Sequence, residues 1–422
     1  MDKLVIEGGR RLEGTLEVSG AKNAALPILA ATVLTKEKSV IRNVPLVADV
    51  LTMIKILRTI GAKVSQAADT VEVDPSGITD PTLTYKIVST MRGSICLLGP
   101  LLARFGYAKV SFPGGCVIGP RPIDLHIKGM KALGAEVVLE HGYVHAKAKR
   151  LRGTRLYLGG AFGSSVLGTA NVMMAAVLAQ GRTIIDSAAC EPEVVDLGNY
   201  LKKMGAKISG LGSPSIEIEG VRKLSGAQYS IISDRIEAGT YMIAAAMTKG
   251  DVTLRNMNLH MLGAMLDKLR DAGVQVTEKN GHVRVRRQRV LRPVSVTTLP
   301  YPGFPTDLQA QMMAFMCVVP GISVITEKIY PERFMHVSEL NRMGANIMLE
   351  GHSAIVNGKK TLSGAPVMAS DLRASAGLVL AGLVAEGSTE VSRVYHLDRG
   401  YEGLVGKLQK VGARIRREKD LR

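Results

Sequence analysis

Lys131-Ala132-Leu133-Gly134-Ala135-Glu136-Val137 is one of six near-copies of the same short passage. The others are Leu57-Arg58-Thr59-Ile60-Gly61-Ala62-Lys63-Val64, Lys202-Lys203-Met204-Gly205-Ala206-Lys207-Ile208, Arg270-Asp271-Ala272-Gly273-Val274-Gln275-Val276, Asn341-Arg342-Met343-Gly344-Ala345-Asn346-Ile347 and Gln409-Lys410-Val411-Gly412-Ala413-Arg414-Ile415. Successive glycines are 73, 71, 68, 71 and 68 residues apart, a period that marks an internally repeated architecture. In each copy an amphipathic run precedes the glycine and apolar alternation follows it. That is the pattern of a helix closed by a left-handed glycine cap and leading into a strand.

Working outward, each copy is preceded by a second helix that is apolar on every side. These are Ala24 to Leu34, Gly93 to Leu102, Gly168 to Ala179, Ile236 to Met247, Leu308 to Cys317 and Leu372 to Ala385. A helix apolar all round is buried. Turns such as Glu140-His141-Gly142 and Lys279-Asn280-Gly281 close a hairpin after the glycine. Each unit therefore reads as strand, buried helix, strand, amphipathic helix and hairpin. The sixth unit stops after the first hairpin strand, and Leu4-Val5-Ile6-Glu7-Gly8 resembles the missing second one. The expected fold class is thus α/β, with six βαβαββ repeats, three to a domain. Residues 22–229 form one domain and carry a loop around Cys116. Residues 1–21 with 230–422 form the other, completed by the N-terminal strand.

Composition sets outer limits. The chain has 422 residues, of which 46% are hydrophobic, so it can bury two or three domain cores and is not a disordered chain. No tryptophan and 19 methionines point to an aliphatic, adaptable interior. No apolar run is long enough to span a bilayer and the N-terminus does not read as a signal peptide, so the expectation is a soluble cytoplasmic protein without membrane association. The cysteines Cys96, Cys116, Cys190 and Cys317 show neither disulfide nor zinc-ligand spacing. The 54 basic residues exceed the 37 acidic ones by 17, which favours anionic partners. Much of the excess sits in Arg284, Arg286, Arg287, Arg289 and Arg292 and around Arg414 to Arg422. No aromatic residues interleave with it, so solvated basic faces are expected rather than a nucleic-acid surface.

Four places suggest chemistry. Lys22 and Asn23 begin the first buried helix, where unpaired N–H groups favour an anion, although Lys22 taken alone reads as a surface lysine with its ammonium in water. Ser111-Phe112-Pro113-Gly114-Gly115-Cys116-Val117-Ile118-Gly119-Pro120-Arg121-Pro122 presents a thiol on a glycine-rich and proline-rich loop, with Arg121 placed to favour the thiolate. Thr306-Asp307-Leu308-Gln309 reads as a capping box opening the fifth buried helix, parallel to acids at Asp234 and Asp371. Arg92, Arg373 and Arg399 lie at or near helix starts, and converging cations suit a doubly anionic substrate. The Walker loop, GxGxxG, HExxH and GxSxG are absent, which argues against nucleotide hydrolysis, dinucleotide binding, zinc hydrolysis and α/β-hydrolase chemistry.

Together the stretches Ser19 to Pro27, Pro113 to His126, Phe304 to Gln311, Arg333 to Val337, Asp371 to Ser375 and His396 to Glu402 resemble the UDP-N-acetylglucosamine enolpyruvyltransferase family along nearly the whole chain. The resemblance implies an inside-out α/β barrel in each of two domains. It implies transfer of the enolpyruvyl group of phosphoenolpyruvate to the 3-hydroxyl of UDP-N-acetylglucosamine, releasing phosphate, as the first committed step of peptidoglycan synthesis. Cys116 is then the loop acid and the thiol alkylated by fosfomycin. Asp307 is the base, and Lys22, Arg121 and Arg399 hold phosphoenolpyruvate. Asn23, Arg92, Arg121, Pro122, Ile123, Asp124, Leu125, Ser165, Val166, Ile329 and Arg373 are the further substrate contacts implied. No metal or organic cofactor follows from it.

The chain departs from the family in two places. The family commonly carries Lys where Ala48 stands and Asp where Leu51 stands, and its SVGAT is here Ser165-Val166-Leu167-Gly168-Thr169. Those changes imply an active enzyme with altered substrate affinity. The sequence leaves two alternatives open: a paralogue that binds UDP-N-acetylglucosamine without turnover, and an enzyme like enolpyruvylshikimate-phosphate synthase.

Overall fold

A four-stranded sheet is the recurring element of the computed structural model, which describes residues 2–88, 91–112, 123–287 and 290–419. Among these residues there are six such sheets and one two-stranded pair, Gly159–Gly160 with Gly163–Ser164. All six sheets have one topology. Thr82–Leu83, for example, runs parallel to Tyr107–Ser111, which pairs antiparallel with Tyr143–Lys147, which in turn pairs antiparallel with the edge strand Glu136–Glu140. The two parallel strands are joined through a buried helix, as a parallel crossover demands.

The chain divides into two compact units, one of residues 2–19 with 233–419 and the other of residues 20–112 with 123–232. Each has its own core. In the first unit the N-terminus serves two sheets. Asp2–Glu7 lies between Ser388–Ser392 and Arg414–Lys419, with Ile6 opposite both Thr389 and Ile415. Glu13–Glu17 is the parallel edge beside Asp251–Arg255. In the second unit Gln228–Ser230 takes that edge position beside Ser39–Arg42.

Helices fill the centre of each unit while sheets form the outside, which is the inside-out α/β arrangement. Every residue of Arg235–Met247 and of Gln309–Cys317 is buried. Small residues let these helices approach: a Cβ on Gly377 of Leu372–Val384 would sit 2.9 Å from the Ala310 carbonyl oxygen. The strands alternate buried with exposed positions, as Tyr143–Lys147 and His282–Arg287 show, so one face of each sheet meets helices and the other meets water. Gly61, Gly134, Gly205, Gly273, Gly344 and Gly412 all have positive φ, from 85° to 109°, where a side chain would be strained.

Two local expectations need correction. The second buried helix is a 3-10 turn, Arg92–Leu97, followed by an α-helix, Leu98–Phe105. Pro100 explains the break, since it has no N–H to donate and fits only the first turn of a helix. The capping box at Thr306 does not form either. Residues Thr306–Leu308 make a 3-10 turn with no side-chain cap, whereas Asp234 and Asp371 do accept from the first amides of their helices.

Candidate active site

In the second unit Lys22 is the first residue of the helix Lys22–Ala31 and is only 8% exposed. Its Nζ lies 3.3 Å from the Asp49 carboxylate, itself buried in the first turn of Ala48–Thr59. The surface-lysine reading is therefore wrong: a buried ammonium needs a charged partner, and Asp49 supplies it. Ala48 and Leu51 stand exposed on either side of that acid. The start of the helix is held by Ala21 N–H donating to the Ile232 carbonyl at 2.7 Å. Gly20 lies too close to the Asn43 carbonyl for any side chain. Asn23, the next residue of the helix, is half-buried.

A second group gathers around His126. Ile123 is buried and precedes the helix Asp124–Ala132, on which Asp124 is exposed and Leu125 half-buried. The Asn171 amide N–H donates to His126 Nδ1 at 2.9 Å and to the Ile95 carbonyl at 2.8 Å, and its Oδ1 accepts from Gly99 N–H at 2.6 Å. Burial, with the charge of Arg92 next, lowers the His126 pKa to about 4, so the ring is neutral at pH 7. The half-buried Ser165 caps Val166–Ala176 by accepting from Gly168 N–H at 3.1 Å. A Cβ on Gly168 would lie 3.6 Å from Leu125 Cβ. Arg92, Asp124, Leu125, Ser165 and Val166 are thus carried by neighbouring elements of one unit. Leu167, the departure from the family pattern, is half-buried beside them.

In the first unit the Asp307 carboxylate is gripped from both sides. Arg333 donates to Oδ1 and Arg373 to Oδ2, each at 2.9 Å. The two guanidinium side chains are 5% and 2% exposed, against 27% for Asp307. Arg373 is held charged at ordinary pH despite its burial, chiefly because Asp307 is beside it. One carboxylate between two desolvated cations keeps a fixed orientation. With 27% of its side chain exposed it is a carboxylate of the kind that can serve as a general base.

Glu327 joins this site to Ile329. Its Oε1 accepts from Thr298 at 2.6 Å and from the Ile329 and Tyr330 amides at 2.8 and 2.9 Å. Its Oε2 accepts from the Thr306 hydroxyl, beside Asp307, at 2.9 Å. Arg399 is half-buried and ends the 3-10 turn Val394–Arg399, so it closes that turn instead of opening a helix. Cys116, Arg121 and Pro122 lie outside the described residues. No group of three His, Cys, Asp or Glu side chains among the described residues is placed to hold a metal ion.

Sequence reasoning missed Asp49, Asn171, Glu327 and Arg333 as members of these groups. Asn171 carries one signal, a lone amide inside the largely apolar run Val166–Ala176, and Arg333 opens one of the stretches that carry the family resemblance. The partners of the other three come from distant parts of the chain.

The repeated fold and the paired units mark a class. The family model for EPSP synthase (3-phosphoshikimate 1-carboxyvinyltransferase) matches residues 6–408. The structure of the enolpyruvyl transferase NikO from Streptomyces tendae superposes with a TM-score of 0.91 at 26% identity over 99% of each chain. EPSP synthase from Acinetobacter baumannii shares the fold with a TM-score of 0.78 at 17% identity, over 99% of this chain and 100% of its own. Within that class the sequence is more specific. It is 54% identical over 420 residues, all of both chains, to UDP-N-acetylglucosamine 1-carboxyvinyltransferase of Geobacter metallireducens. It is 55% identical over 417 residues, 99% of both chains, to the protein of that name from Methylacidiphilum infernorum. The chain belongs to the UDP-N-acetylglucosamine 1-carboxyvinyltransferase family.

Proposed function

We propose that this chain transfers the enolpyruvyl group from phosphoenolpyruvate to the 3-hydroxyl of UDP-N-acetylglucosamine and releases inorganic phosphate, in the cytoplasm and in the service of peptidoglycan synthesis. The observation that carries the reading is Asp307 held between Arg333 and Arg373, in a chain about 55% identical over its whole length to relatives of that name. Asp307 is the base that removes the hydroxyl proton as the oxygen attacks C2 of phosphoenolpyruvate, and Cys116 is the acid that protonates C3. In the second step a C3 proton is lost as the C2–O bond to phosphate breaks, so that the carbon–carbon double bond of the enolpyruvyl ether re-forms and inorganic phosphate leaves. Lys22, Arg121 and Arg399 bind the phosphate and carboxylate, where fixed cations stabilise the charge that builds up. Asn23, Arg92, Pro122, Ile123, Asp124, Leu125, Ser165, Val166, Ile329 and Arg373 bind the substrates. Support for this division of labour is the burial of Lys22 against Asp49 and the grouping of Arg92, Leu125 and Ser165 around His126 and Gly168.

The test is phosphate release from phosphoenolpyruvate with and without UDP-N-acetylglucosamine, in the unaltered protein and in Cys116→Ser. Release that requires the sugar nucleotide and collapses in the variant is expected. Binding of UDP-N-acetylglucosamine without release would leave the non-catalytic paralogue as the better reading.

A further inference from the structure

Behind Asp307 lies a buried polar chain that the proposed reaction does not itself use. Gln311, one helical turn along, is fully buried, and its Nε2 donates to the Asp307 main-chain carbonyl at 2.9 Å. The same nitrogen donates to the Tyr401 hydroxyl at 3.1 Å. Thr240 donates its own proton to the Ile236 carbonyl at 2.8 Å, so across the 2.9 Å contact with Tyr401 the phenol is the donor. Gln311 thus reaches Thr240 both through Tyr401 and by a direct 3.2 Å contact from Nε2, and Thr240 passes the chain on to the main chain of Arg235–Met247.

Tyr401 is 4% exposed, and its ring centroid lies 5.4 Å from the guanidinium carbon of Arg373. Arg373 is the residue that grips Asp307 Oδ2. Gln311 thus fixes the main chain of the acid, while Tyr401 supports the guanidinium that orients its carboxylate. The helix keeps this amide at a cost: Gln311 Oε1 is buried with no hydrogen-bond partner among the described residues, where an apolar side chain would leave no orphan. A group retained against that cost is explained by what its other end holds.

We propose that Gln311 and Tyr401 are positioning residues for Asp307, bracing from within the protein the geometry that base catalysis needs. The inference rests on the functional reading above. A base displaced by as little as about 1 Å can lose on the order of a hundredfold in rate, so a partial loss of bracing is visible in kcat before it is visible in binding.

The experiment compares the unaltered protein with Tyr401→Leu, which removes both the hydroxyl and the ring, Gln311→Met and the double variant. It records kcat, both KM values, the pH dependence of kcat/KM and the thermal midpoint. Expected are a fall in kcat of about tenfold in each single variant, KM values within about threefold, and an acid limb moved to higher pH because Asp307 is held less firmly by Arg373. The double variant should lose no more than the worse single one, as members of one unit do. Unchanged kcat and pH profile in variants of an active protein would overturn the positioning role alone, whatever happens to the thermal midpoint. An unaltered protein inactive on both substrates would overturn the functional reading and the positioning role with it. If Gln311→Met fails to fold, Gln311→Asn, which keeps a shortened amide, takes its place with the same expectations.

Discussion

Lys22, His126 and Asp307 show how differently single residues of one type of site are prepared. Lys22 is buried against Asp49, His126 is kept neutral by burial, and Asp307 is oriented by two arginines. The His126 state has a consequence for stability. Its folded pKa, about 4, lies below the ordinary value near 6.5, so the unfolded chain takes up a proton first as the pH falls. The stabilising contribution is complete above about pH 6.5 and is lost on the way down to pH 4, amounting to roughly 3 kcal/mol at the limit. His336, also lowered to about 4 by burial, acts in the same sense. Asp196, raised to about 6 by burial, acts in the opposite one. Urea unfolding at pH 7 and pH 5 should therefore show a smaller pH-dependent loss in His126→Gln than in the unaltered protein. An equal loss would mean that the ring is not held neutral. At Ala48, exposed and next to the acid that pairs with Lys22, restoring a cation by Ala48→Lys is expected to lower the KM for phosphoenolpyruvate severalfold with kcat unchanged. Steady-state kinetics in both substrates checks this.

Among elements, Asp124–Ala132 packs closely on Val166–Ala176. A side chain on Gly129 would collide with Val172, a β-branched residue with little freedom to turn away. Gly129→Ala is expected to destabilise the protein by about 1–3 kcal/mol through overpacking. These helices also carry Asp124, Leu125 and Val166, so the affinity for UDP-N-acetylglucosamine should fall in the same variant, as titration calorimetry would show. A loss of stability with unchanged affinity would separate the helix contact from substrate binding. The 3-10 turn Thr306–Leu308 makes the complementary point. Its acid leaves the helix amides for two arginines because Arg333 and Arg373 reach it from elements about 26 and 66 residues away in sequence, and charge-assisted bonds outweigh a helix cap.

At the scale of the molecule, the two units differ in how the chain builds them. Residues 20–112 and 123–232 form one unit, and among the described residues its core runs from Ala21 to Ile231. The other core needs Leu4, Ile6, Leu12, Leu16 and Val18 from the N-terminus together with Ile236 to Ile415. Expressed alone, residues 20–232 should unfold cooperatively in a thermal melt, whereas residues 233–422 should not, since two of their sheets lack a strand. A cooperative transition in the latter would show that the N-terminal strands are dispensable.

The repeat, the α/β class and the burial of the central helices are legible in the amino-acid order, because glycine caps, apolar periodicity and turn residues act over a few residues and recur six times. Motifs continuous in the chain led to the expectation of chemistry at Cys116 and Asp307, and the family resemblance added Lys22. The surroundings of Lys22 and Asp307 became visible with the folded chain. The Asp49 partner of Lys22, the two guanidinium groups on Asp307, the Glu327 tie to Ile329 and the Gln311–Tyr401 brace all join residues that are far apart in sequence. Pairings of that kind leave no local period to read, since the energy that selects them arises when folding removes water from both partners at once.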